Sequence, residues 1–247
     1  MAEPSARGGF PTTTQSILFG LHSADDAERA RSLERLASAY WKPVYKYVRL
    51  RWRKTTSEAE EISQDFFLHA VGKETFHAYD PTKGRFRTFV RRCLDHFVTD
   101  RHRHDRAIKR GSGVRPIALD IALDTAAAEA ELDGAIVHDP EAFFEQEWVR
   151  SLFEASAIRL RAQCAENEKQ DHFAVFERLH LTDGGQGHKS SYASVAAELG
   201  LSVPEVTYRL QAMRREFRAI VLLTLREVTT SDEEFRSEAR HVLGVEL

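Results

Sequence analysis

Between Phe86 and Val98 the apolar residues Phe86, Phe89, Val90, Cys93, Leu94, Phe97 and Val98 recur at i, i+3, i+4, i+7, i+8, i+11 and i+12. That spacing is the signature of one buried helical face and excludes a strand. Arg87, Thr88, Arg91, Arg92, Asp95, His96, Thr99 and Asp100 fall between these positions and are expected to face away from the core. From Lys83 to Arg110 there are ten Lys/Arg against three Asp, a net +7 within a chain of net −3. At about 1.5 Å per residue the predicted helix is on the order of 39 Å long, comparable to one turn of duplex DNA. A basic helix laced with aromatic residues suits a phosphate backbone and unstacked bases. Its bland alternative is a solvated amphipathic helix.

The remaining patterns are also helical. Ala24 to Trp52 carries Leu36, Tyr40, Trp41, Val44, Tyr45 and Val48 on one face, with Pro43 predicting a helix start or kink there. Ser57 with Glu60 reads as a capping box opening an acidic helix through Val71. Its exposed face is expected to show Glu61, Gln64, Asp65 and His69, and its core face Ile62, Phe66 or Phe67, Ala70 and Val71. Pro116 to Glu147 contains no Lys or Arg and nine Asp/Glu, so it reads as an acidic interdomain linker with room for a short helix. Thirty residues reach on the order of 100 Å when extended, so such a linker can span DNA or lie over the basic helix. Patterning resumes near Pro140, with Phe143, Phe144, Trp148, Leu152, Phe153, Ala157, Leu160 and Cys164 on one face. No useful β-alternation occurs. The expected fold is all-α, with two helical domains joined by an acidic linker.

Residues 192–218 have helix-turn-helix form. Val195, Ala196 and Leu199 face inward, Gly200 supplies a left-handed cap, and Ser202 caps a second helix with Pro204 in its first turn. That helix is expected to bury Val206, Leu210, Met213 and Phe217 and to project Glu205, Thr207, Tyr208, Gln211, Arg214, Arg215 and Arg218. Its start would read base edges and its later arginines would hold phosphates. Ser231 caps a last charged helix with no evident chemical role.

Composition bounds the remaining classes. The chain is 42% apolar and 30% charged, has no apolar run long enough to span a membrane, and begins without an apolar signal core. Cys93 and Cys164 both fall on apolar faces, as buried thiols in a reducing cytoplasm would. His96, His102 and His104 lie near Cys93, Asp95, Asp100 and Asp105, but none of the usual metal, nucleotide or hydrolase motifs is present. Neither enzyme activity, a metal nor a cofactor is expected.

The two motifs, in this order, resemble a bacterial RNA polymerase sigma factor of the extracytoplasmic-function type. Residues 59–71 are similar to that family's acidic helix, which docks on the clamp helices of the largest polymerase subunit; this implies contacts from Glu61, Gln64 and Asp65. Residues 85–103 resemble the helix that melts and holds the −10 promoter element, and Tyr79 to Gly84 the loop that captures a flipped base. The resemblance implies −10 contacts from Lys83, Arg85, Arg87, Arg91, Arg92, His96, Asp100 and Arg103. It implies −35 contacts from Glu205, Thr207, Tyr208, Gln211, Arg214 and Arg215.

The implied organisation is a tail at 1–15, a first domain at 16–112, the linker at 113–140, a second domain at 141–228 and an extension at 229–247. Implied partners are core RNA polymerase, including the flap of its second-largest subunit, promoter DNA and an anti-sigma factor. The chain departs from the family's pattern at His96, where Asn is frequent, and at Thr207, where a basic residue is. Its linker is long, as in a branch of the family whose loop also reads Lys-Gly-x-Phe-Arg. A stand-alone helix-turn-helix regulator is the competing reading. It would dimerise on palindromic sites and leaves the acidic helix at 57–71 without a role.

Overall fold

The computed structural model describes residues 17–21, 23–73, 75–108, 125–132, 139–181 and 191–246. The N-terminal tail, most of the acidic linker and most of the glycine-containing loop at 181–191 lie outside them. Every regular element among the described residues is helical. The chain forms two compact units, residues 1–148 with 226–247, and residues 149–225.

In the first unit α1 (Ile17–Leu21) precedes α2 (Asp26–Arg51), the helix on which the unit's other elements converge. Asp25 caps α2 by accepting from the Ala27 N–H at 2.9 Å, and Asp26 and Glu28 occupy its positive end. The helix is continuous across Pro43, where the sequence predicts a start or kink. An interior proline costs a helix roughly 3 kcal/mol. Here Trp41, Val44, Tyr45, Tyr47 and Val48 are all buried around it, and their packing outweighs that cost.

α3 (Thr56–Gly72) begins two residues before the expected box at Ser57. Thr55 is the cap: the Glu58 carboxylate accepts the Thr55 N–H at 2.9 Å, while Thr55 Oγ1 accepts the Glu58 N–H. Starting at Thr55 also brings Lys54 to 3.3 Å from Glu58, a contact the later start would lack. Phe66 and Phe67 are both buried, Phe66 packing edge-on against Phe76 and Phe97 and Phe67 against Trp41.

Two short 3-10 turns lead to α4 (Phe86–Ile108), which buries Phe86, Val90, Leu94 and Val98 as its periodicity predicts. Phe89, Cys93 and Phe97 are only half-buried, Cys93 against expectation, whereas Cys164 is buried as expected.

Part of the acidic segment forms α5 (Thr125–Ala130), which lies against α2. Glu129 accepts hydrogen bonds from Tyr45 and Arg49, and Glu131 from Lys42 and Lys46. Those bonds, from Arg49 foremost, hold the Glu129 carboxyl down to about 2. Its stabilisation is fully present above the ordinary value of 4.5 and is lost as pH falls towards 2. In acid titration followed by circular dichroism, Glu129→Gln is expected to flatten the loss of stability across that window. An unchanged acid limb would contradict the Arg49 contact.

The first nine residues of α6 (Pro140–Glu166) also belong to this unit, with Phe144 edge-on to Tyr47 and Trp148 against Tyr40. So does α10 (Asp232–Leu243), capped by Ser231 as the sequence predicts.

In the second unit the rest of α6 packs with α7 (Gln170–His180), α8 (Tyr192–Leu199) and α9 (Val203–Val228). The core joins Leu160, Cys164, Phe173, Phe176, Val195, Val206, Leu210 and Met213. Gly200 ends α8 at φ 66° and ψ 32°, the left-handed cap read from the sequence. The Leu201 N–H closes the turn on Ala196 O at 2.8 Å. A Cβ at Gly200 would meet open space, so substitution is penalised by backbone conformation alone. Gly200→Ala is expected to lower stability by about 1–2 kcal/mol in urea denaturation, and Gly200→Asn by less. Equal stability of the alanine variant would contradict the left-handed turn.

Candidate nucleic-acid interface

The α4 surface divides along its length. Arg92, His96, Asp100 and Arg103 are exposed and follow one helical stripe, with Asp100 3.5 Å from Arg103. Lys83, just before the helix, is also exposed, 3.3 Å from Asp80. This stripe presents two exposed guanidiniums to solvent, Arg103 beside the Asp100 carboxylate, with an imidazole between them able to donate or accept.

Arg87 and Arg91 are corrections to the sequence expectation: both are buried, at 1% and 6% exposure. Helical periodicity places them opposite the α2–α3 core, but that side of α4 is covered as well. Arg91 reaches Asp95 at 2.9 Å and Glu141 of α6, and Asp95 also accepts from the Tyr47 hydroxyl. Arg87 lies over the Trp148 ring, pairs with Glu238 of α10, and stands 3.7 Å from Glu145. Arg85 is partly covered, 3.7 Å from Glu238. Apart from the i,i+4 pair of Arg91 with Asp95, none of these contacts is readable from α4 itself. The signal lies in Glu141/Glu145 and Glu234/Glu238, carboxylates one helical turn apart on helices with a buried apolar face.

Before α4, Asp80 caps the second 3-10 turn through the Thr82 N–H at 3.0 Å, and Gly84 holds φ at 139°, a conformation open to glycine. Tyr79 packs against Phe86 and Phe89, and its hydroxyl donates towards Gly84 O at 3.0 Å. A cavity of about 210 Å³ opens here, lined by Tyr79, Pro81, Gly84, Arg85, Glu233 and Ser237 among others. Tyr79 is the aromatic side chain of its lining, and Glu233, Glu234 and Ser237 of α10 form the opposite side.

On α3, Glu61 is exposed and Gln64 and Asp65 are half-buried. Arg101 of α4 donates to Glu61 at 2.5 Å and also to Asp65, so this acidic face is partly neutralised within the unit.

In the second unit Glu205, Tyr208, Gln211, Arg214 and Arg215 are exposed along α9, Tyr208 at 68%. Glu205 is engaged as the partner of the Ser202 cap, whose N–H and hydroxyl hold its carboxyl below the ordinary range. Thr207 is half-buried, its hydroxyl donating to Val203 O, and Arg214 donates to His180 Nε2 at 3.1 Å.

His102 stacks on Trp52, away from His96, and burial pushes the Cys93 thiol up to about 11. The side chains of His104 and Asp105 lie outside the described residues. Among the described residues no group of His, Cys, Asp and Glu could hold a metal ion, and no helix is long and apolar enough to cross a membrane.

Comparison with family models, curated proteins and solved structures returned no match.

Proposed function

We propose that this chain is a sigma factor of the extracytoplasmic-function type, which binds core RNA polymerase and directs initiation at promoters with −35 and −10 elements. The observation that carries the reading is a conjunction within the first unit: acidic α3 beside basic α4, with Tyr79 and the Asp80–Gly84 turn at the start of α4. Unstacking a promoter base costs a few kcal/mol, which stacking on Tyr79 and hydrogen bonds from this loop would offset. Arg92, His96 and Arg103 would then hold the separated strand. In the second unit, α8, the Gly200 turn and α9 would act as a helix-turn-helix, with Tyr208, Gln211, Arg214 and Arg215 facing −35 DNA.

In this arrangement the two DNA-reading domains are individually weak and act together because polymerase holds them at high effective concentration. The net charge of −3 suits a protein that binds promoter DNA poorly by itself. The reading calls for no cofactor and no catalytic residue.

The test is titration of sigma-free core polymerase with the purified chain. A saturable complex is expected, weakened about tenfold or more by joint Glu61→Gln and Asp65→Asn substitution, a loss of about 1.4 kcal/mol. A folded chain that does not bind core would contradict the reading and favour a stand-alone DNA-binding regulator.

A further inference from the structure

Helix α10 lies across the start of α4. Glu234 accepts the Phe86 N–H at 2.7 Å and lies 3.1 Å from the Tyr79 hydroxyl, whose single proton it shares with Gly84 O. Glu238 pairs with Arg87 and stands 3.7 Å from Arg85, and Glu233 and Ser237 complete the wall of the cavity. Both contacting carboxylates are buried, Glu234 at 7% and Glu238 at 2% exposure. A helix-terminal N–H, a phenol and two guanidiniums are also the donors a phosphate would use, so α10 presents carboxylates where a DNA strand would present phosphates.

Chain length makes the two uses exclusive. Only Thr229, Thr230 and Ser231 join α9 to α10. At most about 50 Å separates Thr207 from Glu234, with helical rise along α9 and full extension beyond it. The −35 and −10 elements lie about 25 base pairs apart, roughly 85 Å of duplex. A chain with the start of α9 on one element therefore cannot keep α10 on the loop that serves the other.

Resting on the sigma-type reading above, we propose that α10 is a built-in competitor of promoter DNA, covering the −10 loop in the free protein and leaving it when both elements are engaged. The contact suits release. Its centre is a buried ion pair, whose Coulombic gain is largely offset by desolvation. Both partners regain water when the helix lifts.

Two full-length variants test this on a promoter the protein itself opens. In the first, Thr82→Cys and Ser237→Cys, which line the same cavity, are joined by a short disulfide-containing bis-maleimide in a Cys93→Ser background. Holoenzyme carrying the cross-link is expected to open the −10 region at least about tenfold more slowly, read by 2-aminopurine fluorescence, with recovery on reduction. In the second, Glu234→Gln with Glu238→Gln is expected to bind a single-stranded oligonucleotide of the −10 sequence about tenfold tighter than the unsubstituted chain. Opening at an unchanged rate by the cross-linked protein, or unchanged oligonucleotide affinity of a folded glutamine variant, overturns the proposal. In either case initiation by the unsubstituted chain leaves the sigma reading intact. Failure of the unsubstituted chain to bind core or open any promoter overturns both.

Discussion

Replacing Lys46 by alanine is expected to lower the free energy of unfolding by about 3–5 kcal/mol, the cost of breaking a buried ion pair from one side. Lys46 is 1% exposed in the middle of α2. Its ammonium lies 2.5 Å from the Glu147 carboxylate, itself 4% exposed, and also reaches Glu131. Alanine removes the cation facing a buried carboxylate and opens space where the lysine stem packs. Lys46→Met separates these effects, because it keeps most of the stem and loses only the charge. It should retain most of the destabilisation, whereas joint Lys46→Met and Glu147→Leu substitution should recover much of it. Urea denaturation reads all three variants. A loss below about 1 kcal/mol for Lys46→Met would place the pair in an exposed, screened setting and contradict its burial.

The second large effect is on initiation. Charge reversal of two exposed α4 arginines, Arg92→Glu with Arg103→Glu, is expected to reduce promoter opening at least about 100-fold, roughly 2.7 kcal/mol. Core binding and thermal stability should be unchanged. The salt dependence of opening should also become shallower by about two counterions, because two phosphate contacts are lost. Arg87→Ala and Arg91→Ala are expected to behave in the opposite way, lowering stability because their guanidiniums sit among buried carboxylates. If the three variants affected opening equally at equal stability, the division of α4 into an exposed stripe and a covered side would be wrong.

That division also shows what the sequence could and could not reveal. The Phe86–Val98 periodicity identifies a buried face because a helix repeats every 3.6 residues whatever surrounds it. The Gly200 turn and Ser202 cap are legible for a similar reason, since their chemistry is local. Thr55 and Ser57 offer overlapping caps of the same kind, and contacts from outside the box, such as Arg49 with Lys54 O, lie at the start that is used. At Pro43 the local cost allows a helix start, while packing of the aromatic residues around it keeps α2 continuous.

Arg87 and Arg91 are the instructive case at the candidate site. An arginine opposite an apolar face is normally solvated, and its burial here depends on carboxylates some 50 and 150 residues further on. Nothing in the residues around α4 reports them. From sequence the last helix is therefore only charged and without a role, although Glu234 and Glu238 close over the loop at which a base would be captured.

The most direct test of the central claim is start-site mapping with sigma-free core polymerase, the purified chain and a library of genomic fragments. The account predicts initiation at discrete positions that share sequence blocks about 10 and 35 base pairs upstream, lost when the chain is omitted. Core binding with no discrete starts, or starts that do not depend on the chain, would contradict it.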